Sequence, residues 1–187
     1  MSAADGIGVA AEERLFGDAL SCELDLPLAI DASDGRGRQP QAASLLASLA
    51  QLEDLRKDDA EEHGDLPLLA QRMDAKLDLV LALLGRLLTR DETMPVRHLR
   101  WSRHGLRVDL DPAPAFAVGA GVVLRLQPTE WLPDHLELPA RVLDLAGRPG
   151  GARVWLGFSD LRPDLSEAID RHLFRLHRRQ IAGQRRL

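Results

Sequence analysis

Apolar positions recur along this chain with three different periods, and each period predicts a different element. Leu20, Cys22, Leu24, Leu26 and Leu28 alternate with Ser21, Glu23, Asp25 and Pro27, the period of two expected of a half-buried strand over about 20–28. Pro27 has no N–H to give to a ladder, which points to an edge strand or a strand end. Residues 31–41, with Asp34, Gly35, Gly37 and Pro40, have turn and linker composition. From Ala42 to about Lys57, leucines at 45, 46, 49, 52 and 55 recur at three- and four-residue spacing and predict an amphipathic helix.

The most regular stretch follows. Asp65 is placed to cap and Pro67 to fill a first helical turn, and helix is expected over about 66–90. Leu66, Ala70, Met73, Leu77, Val80, Leu84 and Leu87 step by four and three in alternation, the repeat of a coiled-coil seam. At about 1.5 Å per residue this makes a rod of roughly 36 Å, longer than one small domain needs to cover its core. Leu69, Leu81, Leu83 and Leu88 widen the apolar stripe into positions that a dimer usually fills with charge, so three or four helices are favoured over two. A single core helix also carries a wide apolar face. The seam is read as self-association because the remainder of the chain looks complete without it.

After residue 95 the texture becomes that of short strands: 99–110, 121–126, 136–145 and 152–158, separated by Pro- and Gly-rich turns. A final amphipathic helix runs from near Pro163 to about Arg179, with Leu165, Ile169, Leu173 and Leu176 on one face. The fold class expected is α+β, with a small antiparallel barrel, a C-terminal helix and a long N-terminal coiled-coil helix. Three segments are expected: 1–41 with its edge strand and linker, 42–91 as the helical region, and 92–187 as the barrel and closing helix.

Composition narrows the possible chemistry. The chain has 187 residues, and no uncharged apolar run approaches the roughly 20 residues of a membrane span. Met1–Ala11 lacks a basic and then apolar leader, so the chain is read as soluble and cytoplasmic. One cysteine, Cys22, excludes an internal disulfide and a cysteine-rich zinc module. The basic residues are 22 Arg and 2 Lys, which we attribute to coding bias. Residues 1–91 carry 18 acids and 9 bases, while 92–187 carry 11 acids and 15 Arg, so the halves differ in sign. The acidic stretch from Glu53 to Asp65 lacks the alternating ligands and central glycine of a calcium loop and is read as a solvated lead-in to the next helix.

No catalytic constellation is present. There is no Gly-x-Ser-x-Gly elbow and no His-Glu-x-x-His pair, and His172 and His177 lie five apart, off a common helical face. The chain is therefore read as non-enzymatic, without a metal or resident cofactor. The basic tail lacks interleaved aromatics for stacking on bases, which argues against nucleic acid as the partner.

One succession of segments says more. Ser102-x-x-Gly105 sits inside a strand pair, followed by Gly121-Val-Val-Leu-Arg-Leu126, by Ala140-Arg141-Val142, by Val154-Trp155-Leu156-Gly157-Phe158, and by the closing helix. Over about 96–180 this order resembles the PilZ domain family. The resemblance implies a six-stranded antiparallel barrel, to which the 20–28 strand adds an edge, and a non-enzymatic role in cyclic di-GMP signalling. In that family an Arg-x-x-x-Arg segment ahead of the barrel and an Asp/Asn-x-Ser-x-x-Gly motif contact the nucleotide. Two guanidiniums can grip phosphates and stack on guanine, while the small Ser and Gly permit close approach.

Ser102 and Gly105 match the second motif, but Arg100 stands at its acidic or amide position, and the nearest upstream pair is Arg86 and Arg90 on the predicted long helix. The resemblance thus implies a degenerate nucleotide site, with cyclic di-GMP not favoured as a ligand. With the heptad helix, the chain resembles an atypical, oligomeric branch of the family whose helices form a parallel bundle, here a homotetramer. That reading is a multivalent adaptor acting through an unidentified protein partner. Two alternatives stay open: a genuine cyclic di-GMP receptor using Arg86, Arg90 and Ser102 in altered geometry, and a basic nucleic-acid-binding module.

Overall fold

A computed structural model of the chain describes residues 8–58, 94–129, 132 and 134–184, together with helical positions 73, 77 and 80. In chain order the elements are α1 (Val9–Phe16), β1 (Ser21–Ala32), α2 (Gln39–Asp58), β2 (Val96–Ser102), β3 (Gly105–Leu110), β4 (Gly121–Leu126), β5 (Leu136–Arg148), β6 (Gly151–Phe158) and a closing helix, α3 (Pro163–Gln184). The six strands close into an antiparallel barrel in the order β1-β2-β3-β6-β5-β4. Apolar alternation drives this closure. Leu99 and Trp101, Leu106 and Val108, Val122 and Leu124, and Val154 and Leu156 point inward from their strands and are fully buried.

The first strand departs from the sequence reading in two ways. It is longer than 20–28, and it is a full barrel member with a neighbour on each side, so the barrel draws on the N-terminal segment as well as on 92–187. Proline fits because of where it falls. β1 pairs with β2 through Pro27 and with β4 from Leu28 onward. Leu28 N–H donates toward β2, to Pro95 O, whereas the Pro27 carbonyl faces the end of β4 and accepts from Gln127 N–H. The missing N–H therefore lies where one pairing ends and the other begins, beyond the last residue of β4.

The linker expected over 31–41 is also shorter than its composition suggests, since Asp31 and Ala32 complete β1 and α2 begins at Gln39. Gln39 is buried and ties that helix start to the segment before α3: its amide donates to Arg36 O and Asp160 O, and its Oε1 accepts from Arg162 N–H. Pro40 fits the first turn, where no intrahelical N–H is needed. Ala42, Leu45 and Leu46 of α2 then join Leu165, Ile169 and Leu173 of α3 in covering the barrel. α3 runs one turn or more beyond the expected Arg179.

The oligomerisation seam lies mostly outside the described residues: Leu66, Ala70, Leu84 and Leu87 belong there, so the long coiled-coil helix is not shown. Its three described positions are helical and exposed, Met73 at 58%, Leu77 at 54% and Val80 at 48%. No described helix is long and apolar enough to cross a membrane.

Candidate functional site

The Ser102-x-x-Gly105 sequence forms the tight turn between β2 and β3, and Ser102 and Gly105 are themselves a register pair. Ser102 is fully buried. Its hydroxyl donates to Leu15 O of α1 at 2.6 Å and accepts from His104 N–H at 3.1 Å. A Cβ on Gly105 would clash with the Leu156 carbonyl oxygen of β6 and lie 2.9 Å from the Leu15 side chain. Both residues therefore meet protein, at the underside of α1, and present no surface to a ligand.

The sequence reading does not anticipate α1. It is eight residues long, and Ala11, Leu15 and Phe16 pack with Trp155 into a small second core outside the barrel wall. Alternation along β2, β3 and β6 turns Arg100, Arg107, Arg153 and Trp155 outward beneath it. Glu12 meets three of them. Its Oε1 accepts from Arg100 at 2.9 Å and from Arg107 at 2.7 Å, and its Oε2 accepts from the Trp155 indole N–H at 2.6 Å. The Arg100 guanidinium also lies 4.3 Å over the Phe16 ring. Arg100, the departure from the family motif, is thus accounted for inside this chain by an acid and an aromatic ring of α1.

Two further polar arrangements lie close by or beneath. Arg153 donates to both oxygens of Asp109 from Nε and Nη2, at 2.7 and 2.9 Å, with Arg148 on the same carboxylate. The Arg153 hydrogen bond, with help from Arg148, holds the Asp109 carboxyl down at about 2. Inside, His172 of α3 is fully buried against Trp101, ring centres 5.6 Å apart, and reaches Pro128 O with Nε2 at 3.3 Å. Burial pushes its pKa down to about 4. Burial likewise raises the thiol of Cys22, whose Sγ faces Leu173 O, so it has no thiolate character to offer.

Of the sequence-predicted site residues, Ser102 and Gly105 are brought together at the turn, while Arg86 and Arg90 lie outside the described residues. Glu12, Arg107 and Trp155 carry no sequence signal that marks them as a group, because they meet only across three strands and α1. Among the described residues no group of three His, Cys, Asp or Glu side chains is arranged to hold a metal.

A closed six-stranded antiparallel barrel with a Ser-x-x-Gly turn and a helix across its end defines a PilZ-type domain. The chain belongs to the atypical PilZ domain family, described as a cyclic di-GMP receptor, which it matches over residues 46–186. It is similar to a pathogenic protein from Xanthomonas campestris, a tetrameric PilZ domain self-assembled via an unusual helical bundle. The two share 47% identity with a TM-score of 0.79 over 94% of this chain and 98% of that one. The PilZ domain of Escherichia coli YcgR with cyclic di-GMP matches at 17% identity and TM-score 0.41, over 52% of this chain and 83% of that one. A comparison with curated proteins gave no match.

Proposed function

We propose that this chain is a non-enzymatic PilZ-type adaptor in cyclic di-GMP signalling, assembled as a homotetramer through its heptad helix and acting on a protein partner, with a degenerate nucleotide site. The burial of Ser102 and Gly105 under α1 carries the degenerate-site reading, because the two residues that match the family's nucleotide motif are occupied by the chain's own backbone. The assembly reading is supported by the exposed helical positions Met73, Leu77 and Val80, which fall on consecutive seam positions of the repeat. The tetrameric relative, self-assembled via a helical bundle, supports the same reading.

Both halves are directly measurable. Light scattering should give about four times the 20.6 kDa chain mass. Leu77→Glu places a charge in the seam and should reduce the particle to the single-chain mass; a wild-type chain that already runs as a monomer ends the assembly reading. Calorimetry with cyclic di-GMP should be silent.

The family's description as a cyclic di-GMP receptor favours one alternative, a working receptor that uses Arg86 and Arg90. Micromolar binding heat that disappears in the Arg86→Ala, Arg90→Ala double variant would establish that reading in place of the first.

A further inference from the structure

Residues 171–184 of α3 hold four arginines and no acid, and Arg185 and Arg186 follow in the sequence. The inner face of this stretch packs on the barrel, where His172 and Leu173 are buried. Its outer face carries Phe174, Arg178 and Ile181, spaced as i, i+4 and i+7 on one stripe of the helix. Phe174 is 55% exposed and Ile181 37%. The Arg178 guanidinium lies 5.9 Å from the Phe174 ring centre and has no acid partner among the described residues. One turn earlier, Arg171 is already paired with Glu167, so the unanswered charge begins at the aromatic ring. An aromatic ring and a guanidinium turned outward together are the residue types that protein contacts concentrate at their centres.

The same chain carries a surface of opposite sign. Residues 53–65 hold seven acids against Arg56 and Lys57, and the run ends at Asp65, immediately before the first seam residue, Leu66. It begins within the end of α2, which reaches Asp58. α2 and α3 leave one tie, where Gln39 holds Asp160 O and Arg162 N–H, and they pack against each other. Along each helix, Asp58 lies about 28 Å from Gln39 and Arg178 about 24 Å from Arg162, so acid and base fall at similar distances from that tie. In a parallel bundle with rotational symmetry every copy points the same way, and surfaces at like heights come opposite their neighbours. A basic stripe and an acidic run on one chain then make a head-to-tail contact that closes around the ring.

We propose that the Phe174, Arg178 and Ile181 stripe of α3 docks the acidic run, residues 53–65, of a neighbouring copy in the assembly. The inference rests on the assembly reading and adds to it a second contact, outside the heptad seam and dependent on charge. The seam supplies association. The stripe fixes how each barrel is turned about the bundle, and so which faces the assembled adaptor presents to its partner.

The test uses the full chain. A chain with Arg178→Cys is co-expressed with a differently tagged chain carrying Asp59→Cys, Glu61→Cys or Glu62→Cys in turn, and the assembly is oxidised; the native Cys22 is buried. A disulfide joining the two tags on a non-reducing gel is expected for at least one pair. No cross-link with any of the three overturns the proposal. So does a chain carrying both substitutions that closes its disulfide only within itself, since the run would then lie on its own helix. Sedimentation on dilution gives a second reading. Arg178→Glu should lower the concentration range over which the tetramer survives by at least about threefold, and adding Asp58→Arg and Asp59→Arg should restore it. Dissociation unchanged by Arg178→Glu overturns the proposal. A wild-type chain that is already monomeric ends this inference together with the assembly reading, whereas a stable tetramer with neither cross-link nor response to Arg178→Glu ends this inference alone.

Discussion

Gly105→Ala should destabilise the domain by about 3 kcal/mol or more, whereas Gly147→Ala in the β5–β6 ribbon should change it by less than about 1 kcal/mol. Both glycines sit in strands, and their surroundings decide the difference. At Gly105 the new methyl would run into the Leu156 carbonyl oxygen, with the Gly157 Cα 3.0 Å away. Both obstacles are backbone atoms of β6, the register partner of β3, so neither can turn aside as a side chain would. The backbone φ of 155° adds strain for any residue with a Cβ. Relief requires β3 and β6 to separate at their paired end, which also lifts the Leu15 side chain that covers the turn. At Gly147 nothing lies within 4 Å of the added methyl. Urea unfolding of the three proteins at one fixed protein concentration gives the comparison. Equal midpoints for the two alanine variants would mean that the turn accommodates a side chain, and the burial argument for Ser102 and Gly105 would fail with it.

That close fit marks the boundary of what the sequence makes legible. The strands of the barrel are written in short-range alternation, which is why 99–110, 121–126 and 152–158 can be recognised as strands from the residues alone. The Ser-x-x-Gly turn is local too, and so is the replacement of the motif's acid by Arg100. The meaning of those residues is not local. Ser102 is capped by Leu15 O, 87 positions earlier, and Arg100 is answered by Glu12, 88 positions earlier. α1 is only two turns long, too short for a periodic pattern to stand out, and its purpose appears only when β2, β3 and β6 come into register beneath it. Pro27 shows the converse error. A proline in a strand argues for an edge, yet β1 changes partners at that residue, a geometry that no propensity encodes. Along the sequence His172 is one of six scattered histidines, and only the docking of α3 on Trp101 distinguishes it.

His172 should make the fold acid-sensitive well above the carboxylate range. Its Nε2 must carry the proton it donates to Pro128 O, since a carbonyl only accepts. Nδ1 is buried with no protein partner among the described residues, so protonating the ring would place a cation against Trp101 with no acid among them to receive the new N–H. Burial is the main cause of the lowered pKa, and Arg175 and Arg179 on the same helix oppose the charge further. The unfolded chain takes up this proton near 6.5 and the folded chain only near 4, so between those values the unfolded state binds more protons. Stability from this group is complete above pH 6.5 and falls as the pH drops through that window, by on the order of 3 kcal/mol in all. Asp109 acts in the same direction but lower, since its folded value of about 2 confines its loss to pH below about 3.8. His172→Phe keeps a ring against Trp101 and removes the titration. It should be less stable at pH 7 for want of the Pro128 hydrogen bond, yet nearly flat from pH 6.5 to 4, so that the two curves converge as the acid is added. Urea midpoints taken across that range at constant protein concentration test this, because assembly also contributes to apparent stability. Parallel curves for the two proteins would show that the ring takes its proton as readily folded as unfolded, and that α3 docks without regard to its charge.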